Sequence, residues 1–255
     1  MGQFIVEFDL KTKSPLTVED GDVIVDKGYR TVTVRNVEAD STDDAENKAR
    51  REANAFLDEL CLQYGISLEV GSGLAVGPQD SPATRHIKKY FMKVSTRGGH
   101  RERIPSKVKE VSAKASNSKA YYRKASISKD TFDKFRNLYL AIEHVASKVA
   151  AAKVKGTLRD SKLIELALRE CFSSTVQSLD RYLPVRDFVS TGDTIRDVAG
   201  FLFKTHRCEV NHSKLTESTK VPYVYDDEWD VQVAIPITEF IAKSLIAYED
   251  AHLIP

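Results

Sequence analysis

SKDTFDKFRNLYLAIEHVASKVAAAK, residues 128–153, decides how the second half of the chain folds. Phe132, Phe135, Leu138, Tyr139, Ile142, Val145, Ala146 and Val149 recur at steps of three and four, which places them on one side of a helix of about 25 residues. Ser128 is the expected N-cap, and the helix is expected to stop before Gly156. So wide an apolar stripe needs other helices to cover it, and the downstream sequence supplies them. Asp160 or Ser161 opens the next helix, with Leu163, Ile164, Ala167, Leu168, Cys171 and Phe172 inside. A shorter stretch through Val176, Leu179 and Tyr182 ends at Pro184, which has no N–H for a helix interior. Asp193 starts another helix, lined by Ile195, Val198, Ala199, Leu202 and Phe203. A polar loop from Leu215 to Asp230 follows, with Pro222 and the acids Asp226, Asp227 and Glu228. The last helix then buries Ile237, Phe240, Ile241, Leu245, Ile246 and Tyr248. Four or five helices on short links predict a bundle over residues 128–255.

Upstream the period changes from 3.6 to 2. Phe4, Val6, Phe8 and Leu10 alternate with Ile5, Glu7 and Asp9, which is a strand with one face more buried than the other. Val23–Val25 and Tyr29–Val37 flank Lys27-Gly28 as a hairpin. Ser41 or Thr42 caps a long helix with Asp43, Asp44 and Glu46 in its first turn, where the helix dipole favours carboxylates. Ala45, Ala49, Ala53, Phe56, Leu57, Leu60, Cys61 and Tyr64 face the sheet, and Gly65 ends the helix. Ile66, Leu68 and Val70 begin a further strand before the punctuation of Gly71, Gly73, Gly77 and Pro78. The expected fold class is α+β: a small N-terminal domain of antiparallel strands with one long helix over residues 1–97, then an all-α bundle over 128–255. A flexible basic connector over residues 98–127 joins them. No ionisable groups gather at catalytic spacing in the first domain, which reads as a recognition or scaffold unit.

The formal net charge of +1 hides a strong asymmetry. Residues 1–84 hold 8 Lys/Arg against 16 Asp/Glu, residues 85–124 hold 13 against 2, and residues 125–255 hold 17 against 19. Clustered bases release counterions from a phosphate backbone, so Lys88, Lys89, Arg97, Arg101 and Arg103 are candidate RNA contacts, with Tyr121 and Tyr122 as stacking rings. The competing reading is a solvated linker, or a surface that pairs with the acidic first domain. Gly98-Gly99 and Pro105 make its middle a hinge.

Composition, 42% hydrophobic and 29% charged, is that of a globular protein. No apolar run approaches the roughly 18 residues of a membrane span, and MGQFIVEFDL carries acids where a secretion signal carries bases. A cytoplasmic protein without a membrane partner is expected. Cys61, Cys171 and Cys208 are too far apart for a disulfide framework or zinc knuckle and read as reduced thiols. The chain has no GxxxxGK[ST] or GxGxxG loop. It also lacks an HExxH pair among His86, His100, His144, His206, His212 and His252, and a GxSxG elbow. No cofactor and no metal are expected.

What remains is FLFKTHRCEVNHSK, residues 201–214. Arg207 is a permanent cation and His212 titrates near neutrality, the two kinds of group a phosphodiester cleavage uses. Glu209 and Asn211 stand between them as orienting groups. An Arg, four residues and a His near the end of an inner helix, in a bundle of this size at the C-terminus, resemble the R-x(4–6)-H motif of the HEPN superfamily. The form RCxxxH followed by Asp226, Asp227, Glu228 and Asp230 and a final amphipathic helix is similar to the ApeA-type and methylamine-utilisation-type subgroup. Cys208 stands where a polar residue is usual. The resemblance covers residues 128–255. It implies an RNA-binding protein and a metal-independent endoribonuclease, with Arg207 and His212 catalytic, Glu209, Asn211 and Asp227 supporting, and a homodimer through the helical domain.

On a straight α-helix residues five apart are rotated by about 140°, so Arg207 and His212 converge only across a helix break or with a second subunit. The alternative is a non-catalytic dimerisation or interaction module, in which Arg207 pins Asp226, Asp227 or Glu228 and His212 caps a helix C-terminus. His144 reads as a core-edge residue and Trp229 as a packing anchor of the acidic loop.

Overall fold

In the computed structural model the residues described are 2–15, 17–25, 27–78, 116–154, 156, 158, 161–172, 194–204, 210 and 225–253. The chain divides into two compact units, Met1–Ala115 and Ser116–Pro255.

Among the described residues the first unit is a five-stranded antiparallel sheet with one helix. Strands β1 (Gly2–Leu10), β2 (Val18–Asp20), β3 (Val23–Val25), β4 (Thr31–Ala39) and β5 (Val70–Pro78) lie in the order β2-β3-β4-β1-β5, and α1 spans Thr42–Tyr64. The β3–β4 hairpin pairs Val25 with Val32 and Val23 with Val34. The short β2 is an element the sequence reading did not include. Between β1 and β4 the register moves from Phe4 opposite Val37 to Val6 opposite Val34, so Arg35 and Asn36 together face one residue. Asn36 takes φ 53 at this bulge, a conformation its short polar side chain tolerates. The extra residue returns Val37 and Ala39 to the buried face that Val32 and Val34 occupy.

Ser41 caps α1, its hydroxyl accepting from the Asp44 N–H at 3.1 Å, and Gly65 closes it at φ 68 with its N–H on the Cys61 carbonyl. Ala45, Ala49 and Ala53 bring the helix close to the sheet, and Phe56, Leu57 and Leu60 fill the space beyond them. The glycines and Pro78 expected to end a strand lie inside β5 instead. As an edge strand β5 tolerates a proline. A Cβ at Gly73 would stand 3.0 Å from the Glu46 carboxylate of α1. Arg50 donates to the Gly71 carbonyl and to Glu46, both at 2.9 Å, and so ties α1 to this edge.

The second unit is helical: α2 (Asn117–Ile127), α3 (Thr131–Lys153), α4 (Ser161–Phe172), α5 (Thr194–Phe203) and α6 (Tyr225–His252). The expected stripe of α3 is buried from Phe132 to Val149. Its cap is Asp130 rather than Ser128, the carboxylate accepting from the Asp133 N–H at 2.8 Å. The stretch through Val176 and Tyr182 lies outside the described residues.

Two boundaries differ from expectation. Residues 117–127, placed in a flexible connector, are the helix α2, which packs on α3 and α6. Its composition hid this, because the helix buries Lys119 and Arg123 rather than a row of aliphatics. The polar loop to Asp230 ends early, at Tyr225, so that Asp226, Asp227 and Glu228 form the first turn of α6. There they complement the helix dipole. Pro236 lies within α6, in the exposed row of that helix.

Residues Asp226–His252 are long and apolar enough to cross a membrane by length and composition, with 44% of the most apolar stretch buried inside the protein. That corrects the expectation of no such run. The bundle accounts for much of this apolarity, since Val231, Ala234, Ile237, Ile241, Ala242, Leu245 and Ile246 are buried at helical spacing.

A polar network closes the bundle at the end of α6. Glu249 is fully buried and accepts from Ser116 at 3.1 Å, from Ser118 and from Lys148, while Lys119 pairs with Asp250 at 2.9 Å. Burial alone would raise the Glu249 pKa, but the hydrogen bonds from Lys148 and Ser118, the Lys148 charge and the Ser116 hydroxyl together hold it below its ordinary 4.5. A depressed carboxyl stabilises the fold above its unfolded value, and that contribution is lost as pH falls through the lowered folded value. Urea unfolding of the wild type should therefore lose more stability between pH 5 and pH 3 than that of Glu249→Gln.

Candidate functional site

The apolar approach to the Arg-His stretch is α5, which buries Ile195, Val198, Ala199 and Leu202 and packs on α4. Phe203, expected on the buried side, is only partly buried. On another side of the same helix, Phe201 packs against a cluster of Phe132 and Phe135 from α3 and Val231 and Ala234 from α6. Val210, which stands between Arg207 and His212 in sequence, packs on the same cluster. The start of α3, the start of α6 and the approach to the motif thus share one apolar anchor. The backbone is π-helical at Lys204 and at Val210.

Arg207, Cys208, Glu209, Asn211 and His212 lie outside the described residues, as do Lys88, Lys89, Arg97, Arg101 and Arg103. Asp227 is half-buried in the first turn of α6. Beside it, Glu228 accepts from the Thr131 hydroxyl at 3.4 Å, joining the first turns of α6 and α3. Trp229 is 54% exposed on α6 and is not the packing anchor expected. Among the described residues no group of three His, Cys, Asp or Glu is arranged to hold a metal ion.

The residues proposed as stacking or basic contacts at the end of the charged segment have other duties. Tyr122 is buried, and its hydroxyl donates to Glu239 at 2.8 Å. Lys119 and Arg123 are buried as well. Tyr121 is half-buried. A polar or charged side chain can thus be part of the core, and Glu249 is the clearest case. It continues the buried row Ala242, Leu245 and Ile246 at a step of three, a carboxylate in an apolar slot, and that spacing was the available signal for the network.

His144 is partly exposed, as a core-edge residue would be. Burial, and then the Lys148 charge, lower its pKa below 6.5, which favours the neutral ring. Cys61 is buried, its sulfur 3.4 Å from the Ser67 hydroxyl. Burial pushes the Cys171 thiol up to about 11, and it faces the Ser244 carbonyl at 3.5 Å. A thiol so rarely ionised is a poor nucleophile. In the native protein Cys171 is expected to resist a thiol reagent at pH 8 and to react once the protein is unfolded, as mass spectrometry of the labelled peptides would report.

Fold and site define a class: a two-unit protein whose second unit is a helical bundle carrying an Arg-x4-His stretch after an inner helix. Residues 118–247 match the family model described as methylamine utilization protein MauJ, and the chain belongs to that family. Comparison with the curated proteins and with the solved structures gave no match. The matched region starts inside α2 and ends inside α6.

Proposed function

We propose that the second unit is a HEPN-like domain that binds single-stranded RNA and cleaves it without a metal, using Arg207 and His212. The observation that carries this reading is the family match over residues 118–247, which holds the bundle and both motif residues in one domain.

In this reading His212, with an ordinary pKa of about 6.5, takes the proton from the attacking 2′-hydroxyl or returns one to the leaving 5′-oxygen. Arg207 holds the phosphoryl oxygens as negative charge grows on them. The products are a cyclic phosphate and a 5′-hydroxyl. Glu209, Asn211 and Asp227 orient the pair, and a homodimer in the cytoplasm belongs to the same reading. The basic segment with Lys88, Lys89, Arg97, Arg101 and Arg103 draws the RNA in, and neutralising Lys88, Lys89, Arg101 and Arg103 together should flatten the salt dependence of RNA binding.

A second reading has a specific observation behind it. Asp226, Asp227, Glu228 and Asp230 gather in the first two turns of α6 and offer Arg207 a counter-charge, which suits an interaction module without chemistry. Purified protein incubated with single-stranded RNA in excess chelator separates the two. Cleavage that disappears in Arg207→Ala and His212→Ala supports the enzyme, and intact RNA with the wild type leaves the interaction module.

A further inference from the structure

We propose that the outward row of α6 is a self-complementary seam on which a second copy of the chain docks, antiparallel and about a two-fold axis at Pro236. Trp229, Val233, Pro236, Phe240, Lys243 and Ala247 follow one another at alternating steps of four and three. On a straight helix they fall within about 80° of arc and run about 27 Å along the axis. The buried residues Val231, Ala234, Ile241 and Leu245 lie on the opposite side of the same helix. All of the row is exposed except Phe240, which is half-buried beside Phe172 with the ring centres 6.0 Å apart. Among the described residues the exposed large apolar side chains are Trp229, at 54%, and Val233, at 38%, and both belong to it. A surface helix ordinarily turns its charges away from the core. Here the outward row holds one, Lys243, which is the composition of a helix with partners on two sides.

The charges at the two ends of the row select the second copy. The exposed acids Asp226 and Glu228 flank Trp229 at the start of α6, and Lys243 stands about 21 Å further along. Its ammonium is 3.8 Å from Glu239 and 5.6 Å from the centre of the Tyr122 ring, long contacts that leave the side chain 45% exposed. Two copies laid antiparallel about Pro236 put Lys243 of each level with Trp229 of the other, where an aromatic face and two carboxylates receive the cation. A parallel pair would set lysine on lysine and acid on acid. The contact is made twice because the face is isologous, and alternating steps of four and three are the spacing of helices that pack along their length. Self-association belongs to the functional reading given above, while its face and register rest on α6 alone.

Analytical ultracentrifugation of the full chain over a range of concentrations, without RNA, tests it. Trp229→Ala should weaken the wild-type dimer about tenfold or more, and Lys243→Ala about fivefold. Within one chain these residues are about 21 Å apart, so they couple only across the seam. The double variant should therefore be weaker than Trp229→Ala by no more than about twofold. Trp229 is the one tryptophan of the chain, and its emission should move to the blue as the dimer forms. A wild type that stays monomeric up to about 100 μM, a dimer indifferent to Trp229→Ala, fully additive losses in the double variant, or a blue shift that needs phosphatidylcholine vesicles overturns the proposal. If Trp229→Ala melts early, Val233→Glu decides: a monomer supports the seam and an unchanged dimer refutes it. RNA cleavage is scored separately. A monomer that cuts RNA removes the seam only, and an α6 dimer that leaves RNA intact removes the enzyme only.

Discussion

His212→Ala is expected to slow cleavage of single-stranded RNA by about 10²–10⁴-fold, the usual contribution of a positioned acid or base. The melting temperature should stay within a degree or two of the wild type if the residue acts in chemistry alone. Arg207→Ala should cost about 10²–10³-fold, comparable with removal of one donor to a developing oxyanion. Arg207→Lys should recover only part of that, because an ammonium keeps the charge and loses the planar fork that grips two oxygens at once. The double variant is expected to be little worse than the more damaging single one, since two groups that act on one phosphoryl centre are not additive. A profile of kcat/KM against pH should need one group deprotonated and one protonated, and loss of one limb in His212→Ala would assign that limb.

The second large effect concerns the anchor beneath the motif. Phe135 is fully buried where α3 meets α6, in the cluster that also receives Phe201 and Val210. Phe135→Ala should destabilise the second unit by about 3–5 kcal/mol, the sum of lost transfer energy and the cavity left behind. At roughly 2–4 °C per kcal/mol for a unit of this size, the melting temperature should fall by roughly 6–20 °C. Activity should fall at temperatures where the fold still holds, because Phe201 and Val210 lose the surface they pack on. Phe135→Leu keeps most of the volume and should cost less on both measures. Equal activity in Phe135→Ala and wild type would detach the cluster from the motif.

The sheet and the bundle were legible where apolar side chains keep a period. The alternation of β1 and the three-four spacing of α1, α3 and α5 give the right element on the right face, because each of those faces meets a continuous core. The reading failed where burial is polar. α2 looks like linker in sequence because Ser118, Lys119 and Arg123 are buried beside Tyr122 and Ala125, and Glu249, Asp250 and Glu239, the partners of Ser118, Lys119 and Tyr122, lie more than a hundred residues away. The first turn of α6 looked like loop because three consecutive acids read as solvated, although a helix N-terminus favours them. In β5 the glycines looked like punctuation, and the cause of at least one is spatial, the approach of Glu46 to Gly73. Of the candidate site, Arg207 and His212 lie outside the described residues, and what the structure adds is the apolar cluster that Phe201 and Val210 join, a contact between distant elements that spacing along the chain does not announce.

The most direct measurement uses one RNA oligonucleotide in two forms, all-ribose and with a single 2′-deoxy sugar at the main cleavage site, incubated with the full-length protein in chelator. The account predicts cutting of the first with a cyclic phosphate end visible by mass spectrometry, and no cutting at the substituted position of the second. Cleavage at the deoxy position, a metal requirement, or undiminished cutting by His212→Ala would contradict it.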